Sequence, residues 1–247
     1  MQTSSTTDVV ARIGSLVDCV TEQEAKDTTT DIVHALGAES FVYASLLPAS
    51  SETSDESRRY FIGCRSEWCA LYMKHCWAMN DPFLEYARSH CAPVLRSHIK
   101  LRTPGQLAML KLSEAYGFRS GLVVPTHTSM SASKRLGLLY IGSDLPEAVG
   151  EKLLLKSRML YCSLGQALLF WWMEKLKQQA IRKYSLDEEE LEMLQLFRNG
   201  KRAAEIAACL DLKVGATYRK LSRVSEKFNV EKFDYAVAIA ESTGLLN

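Results

Sequence analysis

Two aromatic side chains and a carboxylate in the first half of the sequence have the types and spacing of a small-molecule binding site. Trp68 and Tyr72 are four residues apart, so on a helix they lie on one face. Asp81 and Pro82 follow Tyr72 after a short interval. Each residue also has a simpler explanation. An aromatic pair at helical spacing is more often part of a core, and an aspartate before a proline is typical of a helix N-cap.

A second group of residues could contact phosphate. Six basic residues lie between positions 213 and 232 and only two acidic ones, Glu226 and Glu231, so the local charge is six minus two, or +4. The whole chain has a formal net charge of only +1, so any attraction to nucleic acid must come from this local patch. The alternative is a helical bundle with a solvated basic face. The basic residues are Lys213, Arg219, Lys220, Arg223, Lys227 and Lys232.

The sequence contains no motif typical of catalysis or of a metal site. Its five histidines lack the H-E-x-x-H spacing, and neither a G-x-S-x-G motif nor a phosphate-binding loop occurs. The seven cysteines form no C-x-x-C pair, which indicates reduced thiols in a cytosolic protein. We therefore expect no enzyme, no metal and no cofactor. Without a signal peptide or a long apolar segment, we expect a soluble, cytoplasmic protein with no membrane partner.

Elements that could position the first group alternate between helix and strand. Helical patterns precede a strand at 41–47, and a second short strand at 60–64 follows a polar segment, 48–59, that is typical of a loop. Further helices are predicted over 67–77, from Asp81, and over 103–116. Apolar runs at 120–127 and 136–142 flank a polar loop and predict a hairpin, and one long helix is predicted over 146–183. This order predicts an α/β/α sandwich with an antiparallel sheet.

The basic group lies in an all-helical C-terminal segment. A charged connector at 175–184 leads to Ser185, which with Glu188 has the pattern of a capping box. Four helices are predicted after it, ending near residues 200, 210, 228 and 242. A short helix, a tight turn and a longer helix are the geometry that places a recognition helix in the DNA major groove. We thus predict an α+β chain with a sensor domain at 1–174, a linker at 175–184 and a four-helix helix-turn-helix domain at 185–247.

The C-terminal segment resembles the LuxR-type helix-turn-helix. The carrying residues are Gly200-Lys201-x-x-x-Glu205-Ile206-Ala207 and Lys227-Phe228-x-Val230, with Glu190 and Leu194 at further recurring positions. The resemblance implies DNA contacts by residues of the recognition helix and its flanks. Thr217 and Tyr218 stand where the family has a valine and a basic residue, and Gly215 replaces a better helix former. The predicted DNA-binding residues are Lys201, Thr217, Tyr218, Arg219, Lys220 and Arg223.

The N-terminal segment resembles the acyl-homoserine-lactone-binding domain of the same LuxR family of quorum-sensing regulators. W-x-x-x-Y at Trp68–Tyr72, Asp81-Pro82, and Gly117-Phe-Arg-Ser-Gly121 carry this resemblance. It implies that Asp81 accepts a hydrogen bond from a ligand amide, that Tyr72 donates to an acyl carbonyl and that Trp68 packs against the ligand. Tyr140 stands where the family often has a serine or threonine facing the amide end.

Two positions depart from this family pattern. Arg96 stands where the family has a tryptophan that donates to the lactone carbonyl, and Cys64 replaces a frequent tyrosine. A buried arginine is costly. Either the ligand is more polar or anionic, or Arg96 points to solvent beside a looser, empty or side-chain-filled pocket. We count both residues among the predicted ligand-binding side chains.

The combined resemblance implies a ligand-responsive transcription regulator that binds an acyl-homoserine lactone or a related small molecule and binds double-stranded DNA as a homodimer. Exposed apolar surface on the long helix would favour dimerisation. The unusual recognition helix leaves an alternative open. In it the chain is an anti-activator or interaction protein that pairs with another regulator or another protein partner. A further alternative is a protein of the same fold that acts without a ligand.

Overall fold

The computed structural model describes residues 6–46, 58–127, 136–243 and 245–246. The chain divides into two compact units, Met1–Trp171 and Trp172–Asn247. In the described residues, no helix is long and apolar enough to cross a membrane. The predicted loop at 128–135 lies outside the described residues, as does the loop at 48–59 except for its last two residues, which belong to a strand.

Helices of the first unit begin where local sequence signals place them. Thr21 and Glu24 form a capping box before the second helix, and Pro82 occupies the first turn of the fourth. Gly117 adopts a positive φ of 91° after the fifth helix and its short 3₁₀ extension, a conformation that favours glycine. The helices are α1 (Thr6–Ser15), α2 (Glu22–Ala35), α3 (Ser66–Lys74), α4 (Pro82–Ser89), α5 (Pro104–Ser113) and α6 (Glu147–Lys156), followed by α7 (Arg158–Tyr184), which continues into the second unit.

Five strands form one antiparallel sheet. They are β1 (Ser40–Leu46), β2 (Arg58–Gly63), β3 (Val94–Leu95), β4 (Ser120–His127) and β5 (Leu136–Ser143), and their order in the sheet is β2-β1-β5-β4-β3. The predicted strands and the predicted hairpin are confirmed, whereas the two-residue strand β3 was missed because it is too short to show a period. Tyr140 lies in the middle of the sheet, since it pairs with Val42 on one side and Val123 on the other.

Helices cover the central strands on both faces, which explains why almost every residue of β4 and β5 is buried. On one face Val123, Leu138 and Tyr140 share a core cluster with residues of α3, α4 and α5. On the other face α7 approaches so closely at Gly165 that a Cβ there would lie 2.8 Å from the Thr126 methyl carbon. The mixed class with an antiparallel sheet is confirmed, and the full sandwich plus helix-turn-helix arrangement stays a prediction.

The helix predicted as one unit over 146–183 is two. It is interrupted at Ser157, whose amide donates to the Leu154 carbonyl three residues earlier instead of continuing the α-helical pattern. Serine is a weaker helix former than alanine or leucine, so it is a more favourable place for such an interruption than its neighbours. The apolar periodicity on both sides is helical and conceals the interruption.

The second unit contains four further helices, α8 (Glu188–Arg198), α9 (Ala203–Cys209), α10 (Val214–Lys227) and α11 (Phe233–Ser242). The capping box assigned to Ser185 and Glu188 is wrong. Asp187 is the N-cap and Glu190 completes the box. Ser185 has a left-handed φ of 50° and its amide donates to the Arg182 carbonyl, so it ends α7 instead of beginning α8.

Candidate functional site

The Asp81 carboxylate is the polar centre of the predicted ligand site. Its Oδ1 accepts from the amides of Phe83 (2.7 Å) and Leu84 (3.3 Å), so Asp81 caps α4 as the local sequence suggests. Its Oδ2 accepts from the Tyr72 hydroxyl at 2.6 Å. Asp81 is 8% exposed, and three donors compensate its burial.

Burial dominates the proton affinity of this pair. It raises the pKa of Asp81 above its ordinary value, although the hydrogen bonds from Tyr72, Phe83 and Leu84 oppose that shift. Burial and the neighbouring Asp81 carboxylate both raise the pKa of Tyr72. The hydroxyl of Tyr72 therefore keeps its single proton and donates it to Asp81.

Aromatic rings enclose the pair. Trp68 is buried, and its ring centroid lies 5.3 Å from that of Trp77, 5.9 Å from Tyr116 and 6.1 Å from both Tyr72 and Phe118. These contacts agree with the simpler interpretation of Trp68 as a core residue. The cluster also lies beside the Asp81 carboxylate, because Tyr72 belongs to the cluster and donates to Asp81.

Tyr140 approaches the same cluster from the sheet. Its ring stacks on Phe118 at 5.2 Å and lies 4.5 Å from the ring of Phe83, the residue whose amide caps onto Asp81. Its hydroxyl is buried and has no hydrogen-bond partner among the described residues. Burial raises the pKa of Tyr140, so the hydroxyl remains a neutral donor. The sequence predicted Tyr140 as a site residue, but no feature of the sequence indicated that its hydroxyl has no partner among the described residues.

Arg96 is buried, so the alternative in which its side chain points to solvent is wrong. Its Nη1 donates to the carbonyls of Phe118 and Arg119, both at 2.6 Å, and its Nη2 donates to the Leu110 carbonyl and to Glu114. The two terminal nitrogens of the guanidinium are thus paired within the protein, whereas its buried Nε has no partner among the described residues. The guanidinium holds the end of α5 and the chain before β4, a role that sequence reasoning missed because none of its partners is nearby in the chain.

Cys64 packs against the edge of the aromatic cluster and is half-buried. Its sulfur lies 3.6 Å from that of Cys69. The structure thus brings Trp68, Tyr72, Asp81 and Tyr140 together around one cluster, places Cys64 at its margin and ties Arg96 to the main chain. None of the described residues forms a group of three or more histidine, cysteine or acidic side chains suited to a metal ion.

We expect Asp81→Asn to change how stability depends on pH. Because the folded-state pKa of Asp81 lies above the unfolded value of about 3.9, the folded protein loses stability as the pH rises from that value through the folded pKa. The asparagine variant lacks this loss. Its unfolding free energy relative to wild type should therefore increase with pH across that window and level off above it, as measured by denaturant unfolding. Asp31→Asn, at an exposed position of α2, is the control, and an equal trend there would contradict the assignment.

Five of the six predicted DNA-contacting residues lie on α10, and they divide between two faces of this helix. Tyr218, Arg219 and Arg223 are exposed, whereas Thr217 is fully buried and its hydroxyl donates to the Lys213 carbonyl. The inclusion of Thr217 is therefore corrected. Thr217 lies on the inner face of the helix, so it cannot contact DNA at the outer face without a change of conformation. The family has a valine at this position, and an apolar residue there is typical of a side chain that faces the core.

Acidic residues of α8 engage two of the basic side chains. Lys220 forms an ion pair with Glu189, and Lys227 donates to Glu190 at 2.5 Å and to the Ser185 carbonyl at 2.7 Å. Lys201, before α9, pairs with Glu205 at 3.3 Å on the surface. Sequence reasoning noted Glu190 and Lys227 as family positions without seeing that they contact each other.

Gly215 weakens the first turn of α10 without a packing reason, because a Cβ at this position would meet no atom within 4 Å. We expect Gly215→Ala to raise the free energy of unfolding by about 0.5–1 kcal/mol, since alanine restricts the unfolded chain and favours helix. Thermal denaturation of both proteins measures the change. Gly142→Ala is the contrasting control. There the added methyl would lie 2.2 Å from the Phe118 ring and should destabilise the protein.

The chain is similar to one protein family and to several solved structures. The family model described as autoinducer binding domain matches residues 21–168. No curated protein matches the chain by sequence. Similar solved structures include SdiA in complex with octanoyl-rac-glycerol, with 15% identity, a TM-score of 0.59 and coverage of 98% of this chain and 97% of that one.

Two further structures extend the likeness. Escherichia coli SdiA in the space group P6522 is 16% identical, with a TM-score of 0.59 and coverage of 97% of this chain and 98% of that one. CepR2 from Burkholderia cenocepacia, described as an N-acylhomoserine lactone dependent LuxR family transcription factor, is 20% identical, with a TM-score of 0.54 and coverage of 68% and 95%. At these identities the likeness shows a common fold.

Proposed function

The chain belongs to the autoinducer-binding domain family, and from this premise we propose that it is a ligand-responsive transcription regulator of LuxR type. The family match indicates a protein that binds and regulates instead of catalysing a reaction. We propose a ligand with an acyl chain and a polar head group, an N-acyl-homoserine lactone or a related small molecule. The descriptions of SdiA with an octanoyl glycerol and of CepR2 as lactone-dependent support this class.

The observation that carries the ligand proposal is the Tyr140 hydroxyl, which is buried beside the Asp81 cluster and has no partner in the part of the chain that the structure describes. A buried hydroxyl without a partner costs free energy, so a ligand carbonyl that accepts from it would be favoured. Asp81 can receive the ligand amide as well, because a carboxylate has about four acceptor positions and the protein occupies three. Tyr72 already donates its proton to Asp81, so in this proposal Tyr140, not Tyr72, donates to the acyl carbonyl.

Replacement of Tyr140 by phenylalanine tests this site. We expect Tyr140→Phe to leave the ligand-free protein equally or more stable, because its hydroxyl has no partner to lose, and to weaken binding by roughly tenfold. The matched control is Tyr161→Phe. That buried hydroxyl donates to the Leu36 carbonyl at 3.3 Å, so its loss should lower stability and leave ligand affinity unchanged.

The measurement is the melting temperature of the full chain with a panel of acyl-homoserine lactones and acyl glycerols of different chain length. A ligand at about one hundred times its dissociation constant should stabilise the folded protein by about 2.7 kcal/mol. The absence of any shift across the panel, together with no acyl compound detected by mass spectrometry in the purified protein, would reject the ligand proposal. An unchanged affinity in Tyr140→Phe would reject the role of this hydroxyl.

We propose that α9 and α10 form the helix-turn-helix and that the exposed face of α10 contacts double-stranded DNA. Arg219 and Arg223 are one helical turn apart on this face, with Tyr218 beside them. Guanidinium groups at this spacing can reach phosphates or base edges in the major groove. Lys201 and Lys220 remain in the proposed surface, although each must exchange an intramolecular ion pair for a phosphate.

Salt-dependent DNA binding tests the second half of the proposal. The affinity of the full chain for promoter DNA should fall as salt rises, and the double variant Arg219→Ala/Arg223→Ala should reduce the slope of log K against log salt by about 2. Lys100→Ala, an exposed basic residue of the first unit, is the control and should leave the slope unchanged. Equal slopes for all three proteins would remove α10 from the proposed interface.

We propose a homodimer, which would present two recognition helices to paired half-sites. Exposed apolar residues on α6 and α7 support it, namely Val149, Leu155, Met159 and Phe170. Light scattering of the purified protein, with Met159→Lys as the disrupting variant, measures the oligomeric state.

One feature favours the alternative of an interaction protein. The exposed part of α10 includes Val214 and Tyr218, while Lys220 and Lys227 are already paired with acidic residues. A surface with exposed apolar side chains and paired lysines is better suited to a protein partner than the surface of a typical recognition helix is. Exchange of residues 215–223 for a consensus LuxR-type segment discriminates between the two. DNA binding that appears only after the exchange supports the interaction protein, and DNA binding by the unchanged chain rejects it.

A further inference from the structure

Two cysteine sulfurs face each other where β2 leads into α3. Cys64 follows directly after β2, and Cys69 lies in the second turn of α3. Their Sγ atoms are 3.6 Å apart, and both side chains are half-buried, so a small oxidant can reach them. None of the other five cysteines has a comparable contact with a second sulfur, and all seven belong to the described part of the chain.

The geometry is close to that of a disulfide without being one. A disulfide requires an S–S separation of about 2.05 Å and Cβ atoms about 3.5–4.5 Å apart. To bond, the two sulfurs must approach each other by about 1.5 Å, through side-chain rotation and movement of the backbone. Cys64 lies outside regular structure, one residue before the N-cap of α3, so the adjustment can occur on its side.

The two thiols differ in their tendency to ionise. The hydrogen bond from the Cys64 thiol, with a contribution from the nearby positive charge of Lys26, lowers the pKa of Cys69 to about 7. The same hydrogen bond and burial raise the pKa of Cys64. Cys69 is therefore the thiol that ionises more readily near neutral pH, and Cys64 is positioned as the second, resolving thiol.

We propose that Cys64 and Cys69 form a redox-active dithiol that a hydroperoxide converts into an intramolecular disulfide. The Cys69 thiolate attacks the peroxide, an S–O bond forms, the O–O bond breaks, and the leaving hydroxide takes a proton to become water. The Cys64 sulfur then attacks the resulting sulfenic sulfur, the S–S bond forms, the S–O bond breaks, and the leaving hydroxide takes the Cys64 proton to become a second water. Two thiols and hydrogen peroxide give one disulfide and two waters. This proposal does not depend on the ligand or on DNA binding.

Peptide mapping tests the proposal directly, because Arg65 separates the two cysteines. Trypsin releases Cys64 in the peptide 60–65 and Cys69 in the peptide 66–74. After treatment of the full-length protein with hydrogen peroxide, alkylation of remaining thiols and digestion without reductant, we expect these two peptides as one linked species. The monomer should lose two hydrogen atoms in mass, and its free thiols should fall from seven by two, to five. Reductant should restore both peptides.

Variants separate this pair from general thiol oxidation. Cys64→Ser should leave Cys69 as an over-oxidised acid, and Cys69→Ser should slow the peroxide reaction of Cys64 by about tenfold. Cys91→Ser, at an exposed cysteine, is the control and should leave the linked peptide unchanged. Oxidation of Cys69 in the unchanged protein without the linked species, or linkage of either cysteine chiefly to another one, would overturn the proposal. The map of the unchanged protein decides this even if a variant fails to fold.

Discussion

Replacing Arg96 with methionine is expected to lower the free energy of unfolding by about 3–5 kcal/mol. The buried guanidinium donates hydrogen bonds to the main-chain carbonyls of Leu110, Phe118 and Arg119. These acceptors cannot be removed by substitution. Methionine restores the packing volume but removes this donor from the Phe118 and Arg119 carbonyls, whereas the Leu110 carbonyl keeps the Ser113 hydroxyl as a donor. Each buried unsatisfied acceptor costs about 1–3 kcal/mol. Chemical denaturation, followed by tryptophan fluorescence, measures the change.

Arg102→Met is the matched control, because it removes an arginine–carboxylate pair of the same kind from the surface. Arg102 pairs with Glu85, and its side chain is 68% exposed, compared with 4% for Arg96. An exposed pair contributes at most about 1 kcal/mol. If both variants lost the same stability, Arg96 would not have the role assigned here. If Arg96→Met were as stable as wild type but bound no ligand, Arg96 would belong to the ligand site instead.

Replacing Lys227 with methionine should lower the free energy of unfolding by a similar amount, about 3–5 kcal/mol, in the second unit. Glu190 is 4% exposed in its side chain, and Lys227 supplies its charge partner at 2.5 Å. The variant leaves a buried carboxylate with only the Asp187 amide as a donor. It also removes the hydrogen bond to the Ser185 carbonyl, which connects α10 to the chain before α8.

The double variant Lys227→Met/Glu190→Gln tests the electrostatic reason. Glutamine keeps an acceptor for the Asp187 amide but carries no charge, so we expect it to recover part of the lost stability. Lys201→Met, which breaks the exposed pair with Glu205, is the control and should cost less than about 0.5 kcal/mol. If the double variant were less stable than Lys227→Met alone, burial of the Glu190 charge would not be the cause of the loss.

The predicted elements agree with the structure wherever a local signal defines them. The antiparallel hairpin of β4 and β5, the capping of α4 by Asp81 and the end of α5 before Gly117 follow from residues within a few positions of each other. Where two local signals compete, the prediction failed. Ser185 and Asp187 could each cap α8, and only the left-handed backbone at Ser185 decides between them.

The sequence predicted which residues form the candidate site but not which of them form hydrogen bonds with one another. Trp68, Tyr72, Asp81 and Tyr140 were identified from the family pattern, and all four lie around one aromatic cluster. The pattern did not show that Tyr72 donates to Asp81 or that Tyr140 has no partner in the described residues. For α10, helical periodicity predicted the helix. The burial of Thr217 in the structure distinguishes the face of α10 that packs in the core from the exposed face.

The sequence by itself thus determined the element types, the mixed class and the identity of most candidate residues, because capping, periodicity and turn chemistry act between neighbours in the chain. Only the tertiary structure decided which polar groups satisfy one another. Arg96 finds its acceptors 14 to 23 residues away, and Lys227 finds Glu190 at a separation of 37. Burial makes such partners obligatory, since an unpaired polar group inside the protein is costly. Which distant group supplies the partner depends on how the helices and strands pack.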